Sequence, residues 1–422
     1  MRFRFVILTT TTIALAVGGC ASTAEKAVDK GPTTTRAESP RAADPVLIFG
    51  SRAGTVSVRP ATGAIEFRAP YGVAAPDSST IVQAQPLASG TRVVASDADT
   101  GIPRWSHDVA GARTVRVVSP GGKFVALVDG NLNLPSDART STLVNVVTAN
   151  GPRDLRIRGN VDPEAFSTDG KYLYVLDFLP AMNPTHYSVR RIDLQTQRIE
   201  SVPDRDGGVR DPMPGRARTQ LMSPDGKQLY TFYASAEPVR EGHEEAYSAW
   251  VHVLNLDEGW AHCVDLDEKI GVGGEANPAL AVSPDGSRLF VTDDRTHAVV
   301  AIDTKSLRVL RTRFSPQPGS LDAPAVLATD GTTLFTRDGY SALSTIDANT
   351  LAPTTRAFQS SGTINAIRID GSGEALYVLT DQGLLVLDQQ DRIVHNWPNP
   401  GDASSIDPSV TVPGSGAYRC AC

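Results

Sequence analysis

The sequence predicts an all-β protein, a β-propeller of four-stranded antiparallel blades, with eight blades preferred over seven. Three observations lead there. A tight-turn signature recurs at intervals of about 40 to 60 residues. Strands rich in β-branched residues flank each copy, with no helical pattern between them. The composition, 36 Gly and 29 Pro in 422 residues, suits many short strands joined by turns.

The signature is clearest in VSPGGKFVAL at 118–127, FSTDGKYLYV at 166–175, MSPDGKQLY at 222–230 and VSPDGSRLFV at 282–291. Weaker copies are Thr329-Asp330-Gly331, Asp370-Gly371-Ser372 and Ala75-Pro76-Asp77-Ser78. Pro pre-sets the first central residue of the turn, Asp caps it through its side chain, and Gly takes the positive φ that closes it. Each copy is therefore a turn between two strands. A further alternating strand follows after a loop, as in YSVRRIDL at 187–194, VVAIDT at 299–304 and LLVLD at 384–388. Residues 46–70 supply three strands and 71–400 supply seven units of four. The missing innermost strand of the first unit is expected from 404–412, which closes the ring by joining the chain ends and removes the exposed sheet edge.

These repeats resemble YVTN-type and YncE-like propellers over residues 113–400, as six blades. Ala95-Ser96-Asp97-Ala98-Asp99-Thr100-Gly101 with Trp105 is similar to the pyrroloquinoline-quinone-type repeat. The runs EAFSTDGKYLYVLDFLP and WVHVLNLDEGWAHCVDL resemble actinobacterial exported propeller proteins. Such motifs imply a fold and not an activity. A single Trp at the quinone-docking position does not support quinone-dependent dehydrogenase chemistry, and no cofactor is expected.

Ahead of the propeller, MRFRFVILTTTTIALAVGGC has the layout of an export signal, with Arg2 and Arg4 before an apolar run. Its end, Val17-Gly18-Gly19-Cys20, resembles a bacterial lipobox and implies a lipidated Cys20. Acyl chains at about 0.8 kcal/mol per buried methylene make such an anchor effectively permanent when two or three are present. The expected organisation is a signal peptide at 1–19, lipidated Cys20 and a disordered tether over 20–44, the propeller over 45–415, and a Cys-X-Cys tail at 416–422. The tether assignment rests on the near absence of bulky apolar side chains there. The expected location is the extracytoplasmic side of the cell membrane, held by lipid. A formal charge of -7 disfavours nucleic acid as a partner. A monomer is expected.

The regular turns mark one face of the disc, so function is expected on the other, where loops vary in length. Long loops fall at 129–140, 177–186 and 234–249, with a long interblade segment at 204–219, all in blades three to five. Phe178, Leu179 and Met182 place apolar groups in a loop, where exposure suggests partner contact. Arg205, Arg210, Arg216 and Arg218 suit a carboxylate- or phosphate-bearing partner, and His243 lies in the longest loop. Mutual packing of the loops, with the arginines paired to Asp204, Asp206 and Asp211, is the alternative.

No catalytic set stands out. Glu241, His243, Glu244 and Glu245 have no partnering cluster, so no metal site is assigned there, and no nucleophile-elbow pattern nominates a Ser. His252 and His262 are expected in or beside the core. With Cys20 lipidated, Cys263, Cys420 and Cys422 remain. A disulfide from Cys263 to either tail cysteine would close a loop of about 160 residues, worth roughly 4 to 5 kcal/mol by chain entropy. A soft metal such as Cu(I) on His262, Cys263, Cys420 and Cys422 is a second possibility, and free or intermolecular thiols are a third. The function expected is a non-enzymatic binding or scaffolding protein of the envelope, contacting an envelope protein or small ligand through the loop ridge. The alternatives are a lyase or hydrolase with its site in the funnel, and metal handling through the Cys-X-Cys tail.

Overall fold

The computed structural model describes residues 46–51, 54–130, 139–208, 212–239, 247–314, 325–370 and 373–406. All of them belong to the unit Asp44–Cys422. They form an eight-bladed β-propeller of four-stranded antiparallel sheets. Blade one contains Leu47–Ser51, Gly54–Arg59 and Ala64–Ala69, and its innermost strand is Ala403–Ile406 from the far end of the chain. Phe49 pairs with Ile406 and Gly50 with Ser405, so one sheet holds both ends of the ring. Blades two to eight follow in chain order over residues 72–110, 113–158, 160–201, 216–265, 278–314, 327–359 and 364–398.

Burial explains the composition of the strands. Inner strands are covered on both faces by neighbouring blades, so Arg288–Asp293 and Ala298–Asp303 are almost wholly buried and read as apolar runs. The outer strand of the same blade, Arg308–Phe314, faces solvent and carries three arginines. The apolar residues sort into eight clusters, each shared by two adjacent blades. The closing interface is one of these, joining Phe49 and Val56 to Leu379 and Leu384.

The repeated turns are built as their residues dictate. Ser283 Oγ donates to Asp285 at 2.6 Å and accepts from the Arg288 amide at 2.9 Å. Gly286 closes the turn at φ +72°. Ser223 with Asp225, and Ser167 with Asp169, repeat the arrangement. On the same face, an Asp ending the third strand caps the next turn: Asp193, Asp303 and Asp347 accept from the amides of Thr196, Ser306 and Thr350.

Blade four departs from the pattern. Its fourth strand is split: Ile199–Ser201 pairs with Arg190–Ile192, whereas Met213–Pro214 pairs with His186 and Tyr187. Between them the chain leaves blade four, and Asp204 forms a parallel bridge with Ala261 on the outer edge of blade five. The Ala261 amide donates to Pro203 O at 2.9 Å and the Arg205 amide donates to Ala261 O at 3.0 Å. The excursion thus covers a sheet edge that would otherwise be open.

Candidate functional site

Splitting the outer strand leaves Ser188 and Val189 without a complete neighbour and opens a pocket of about 340 Å³ at the rim between blades four and five. Asp177, Leu179, Arg190, Asp204, Met213 and His252 line it. Arg190 pairs with Asp177 at 2.9 Å, so the pocket carries a formed ion pair with its carboxylate mostly buried. Pockets of this size with a few convergent polar groups are the usual form of a ligand seat. A second cavity, of about 350 Å³, lies against residues 84–91 and 111–113 of blade two and is lined mainly by small side chains.

One level of blade five runs from the funnel to the rim pocket. Gln220, Thr231, His252 and Cys263 stand opposite one another on its four successive strands. At the inner end Gln220 Nε2 donates to Thr231 Oγ1 at 2.9 Å and to Glu164 of blade four at 3.3 Å. At the outer end the Cys263 thiol donates to Met213 Sδ at 3.2 Å. Aromatic rings pack against this row: Tyr187 stacks on Tyr233 at 4.5 Å, Tyr233 stacks on Trp250, and both tyrosines meet the His252 ring edge-on. Burial pushes both phenols well above their ordinary pKa.

The funnel side is polar where the innermost strands bulge. The cross-strand register slips by one residue at Arg116, Glu164, Arg218, Asn365 and Ser404, in blades three, four, five, eight and one. A bulge re-aims the side chain of its extra residue. In the strand Asn160–Phe166 this separates two acids that strict alternation would align. Asp162 reaches Arg116 of blade three through two bonds, of 2.7 and 2.5 Å, whereas Glu164 reaches Gln220 of blade five. Burial, with the charge of Asp162 adding to it, raises the Glu164 pKa to about 8.

The ridge residues are only partly gathered. Phe178 is half-buried and packs into the interface of blades four and five, Leu179 lines the rim pocket, and Met182 stands 61% exposed. The loops of blades three and four touch, with the Arg139 amide donating to Ala181 O at 3.3 Å. The arginines separate. Arg205 lies over the Trp260 ring at 5.8 Å and donates to Ser306 O of blade six. Arg216 and Arg218 sit on the innermost strand of blade five, where Arg218 donates to Gly274 O. Arg210, His243, Cys20, Cys420 and Cys422 lie outside the described residues. Cys263 is buried.

The fold also assembles a group that sequence reading missed. Donor atoms of Asp204, Asp206 and His262 lie within 4.8 Å of one another, and His262 Nδ1 is 3.4 Å from Asp204. Oxygen and imidazole donors in that arrangement are capable of holding a divalent cation. Only the crossing of the 202–208 excursion onto blade five brings them together. For the row through Cys263 the sequence did hold one signal: His252 is the one histidine in the largely apolar strand Tyr247–Asn255.

No family model matches the chain, and no curated protein matches it by sequence. Solved structures do. Apo AztD from Citrobacter koseri is similar over 86% of this chain and 96% of its own, at 11% identity and a TM-score of 0.53. BamB from Moraxella catarrhalis is similar over 79% and 92%, at 13% identity and a TM-score of 0.42. Dihydro-heme d1 dehydrogenase NirN, in complex with DHE, is similar over 86% and 74%, at 16% identity and a TM-score of 0.45. At such identities the likeness is one of fold alone and carries no role over to this chain.

Proposed function

We propose that this protein is a non-enzymatic binding propeller, held at the envelope by lipid on Cys20, that seats its partner on the rim of blades four and five. The observation that carries this reading is the split fourth strand of blade four. Continuous pairing is the default for that strand, and interrupting it forfeits ladder hydrogen bonds while opening a pocket beside the ion pair of Asp177 and Arg190. Leu179 borders the pocket, and Met182, three residues further along the chain, is exposed, so we take both as the contact surface. A pocket of mixed lining that holds an ion pair among apolar side chains fits a peptide or small ligand bearing a charged group. The pair Leu179→Asp and Met182→Asp tests this. Co-purification of the specific partner from solubilised envelopes should fall at least tenfold, whereas Lys227→Asp on the turn face should leave it unchanged. Equal capture by both variants would remove the rim as the seat.

A funnel enzyme is the second reading, favoured by Glu164. A carboxyl that keeps its proton near neutrality is suited to general-acid work. That reading requires turnover abolished by Glu164→Gln in a correctly folded protein.

A further inference from the structure

The outer end of the blade-five row joins three side chains of the kind that soft metals select. Met213, His252 and Cys263 are 6%, 1% and 6% exposed. Cys263 Sγ lies 3.2 Å from Met213 Sδ. His252 and Cys263 are directly opposed on neighbouring antiparallel strands, which places their side chains on one face with Cβ atoms about 4.5 to 5.5 Å apart. The sulfur of Met213 arrives from a different element, the returning half of the split strand of blade four. Without that split, no thioether would stand against Cys263.

We propose that Met213, His252 and Cys263 form a binding site for a soft monovalent metal ion of the Cu(I) type. Thiolate, thioether and imidazole are the donors that Cu(I) prefers, whereas a thioether is a poor ligand for zinc or for harder cations. The charge balance points the same way. Binding replaces the thiol proton of Cys263 with the ion and releases one proton to solvent, so a monovalent ion leaves the buried site neutral. A divalent ion would leave a net positive charge against the rings of Tyr187 and Tyr233, which burial makes costly.

Two further observations support a site here. The rim pocket is lined by both Met213 and His252, so it forms an entry path that ends on two of the three donors. Tyr187, directly opposite Met213 and edge-on to His252, is 1% exposed. The Tyr187 ring thus borders two of the three donors and shields them from solvent. The proposed site differs from the group of Asp204, Asp206 and His262, whose oxygen donors suit harder ions and which includes the exposed Asp206. It also goes beyond the binding reading and stands without it, since metal uptake is measured with no partner present.

The test is anaerobic titration of the full chain with Cu(I), buffered by a chromogenic Cu(I) chelator. Cys420→Ser with Cys422→Ser is the reference protein, so that the tail thiols do not compete. It should bind one equivalent, with X-ray absorption at the copper edge showing two sulfur ligands and one nitrogen. Met213→Leu, which keeps the core volume, should weaken binding at least tenfold, and Cys263→Ser should abolish it. Zn(II) should fail to displace the copper. Absence of copper uptake by the reference protein would overturn the site, and so would undiminished binding in a folded Met213→Leu or Cys263→Ser variant. A copper spectrum with a single sulfur would exclude Met213 without any substitution.

Discussion

Two acids two residues apart on one strand of blade four lead opposite lives, and the difference is local. Asp162 is fully buried and held by both arms of the Arg116 guanidinium. Removing one member of such a pair leaves an uncompensated buried charge, which costs about 3 to 5 kcal/mol. Arg116→Met should therefore destabilise the protein by that amount in urea unfolding, and adding Asp162→Leu should recover most of the loss. Among the described residues no cation pairs with Glu164, and it keeps its proton up to a pKa of about 8 because of burial and the neighbouring Asp162 charge. The proton is thus bound more tightly in the folded than in the unfolded chain. Its stabilising contribution is complete below the ordinary carboxyl range near pH 4.5 and is lost as pH rises toward 8. Glu164→Gln mimics the protonated form, so relative to the native chain it should be near neutral at pH 5. At pH 8 it should be more stable by on the order of 4 kcal/mol. An equal difference at both pH values in paired urea titrations would contradict the assignment.

At the level of the element, the repeated turn was legible because each of its residues has a local task. Asp285, held by the Ser283 hydroxyl and the Ser287 amide and hydroxyl, has its pKa lowered to about 2. Copies of the turn are not equivalent once blades pack. A Cβ on Gly226 would meet nothing closer than Pro120 at 3.8 Å, whereas one on Gly170 would fall inside the envelope of the Phe124 ring. Both glycines have φ +70°. Gly226→Ala should cost about 1 to 2 kcal/mol from backbone strain alone. Gly170→Ala should cost more by a further 1 kcal/mol or so, because Phe124 is itself packed against Phe166. Thermal melts of the two variants give the comparison. The split strand of blade four was not legible. Ile199–Ser201 and Met213–Pro214 are too short to show a period, and the long segment between them reads as a loop. Its excursion to Ala261 is a contact between residues 57 apart, for which no local pattern exists. The row Gln220, Thr231, His252, Cys263 was hidden for a related reason, since cross-strand register decides it and a shift of one residue would dissolve it.

On the scale of the whole molecule, blade number followed from counting strands and from the need to pair an orphaned edge. The sequence reading expected three strands before residue 71 and a fourth from the end of the chain, and Ala403–Ile406 fills that place. Deleting residues from 403 onward should expose the edge of Leu47–Ser51, with Phe49 in the interface beneath it. The shortened protein should melt at lower temperature and associate in a concentration-dependent way on gel filtration. Where the sequence reading grouped four arginines into one basic patch, the ring separates Arg205, over Trp260 on the outer strand of blade five, from Arg216 and Arg218 on the innermost strand of that blade. What remains of the ridge is Leu179 at the rim pocket, with the exposed Met182 three residues further along the chain. The most direct test of that seat is photocrosslinking in intact envelopes, with the photoreactive residue placed at Met182 on the rim or at Lys227 on the turn face. The account predicts one specific adduct from Met182 and none from Lys227. A specific adduct from Lys227 with none from Met182 would contradict it.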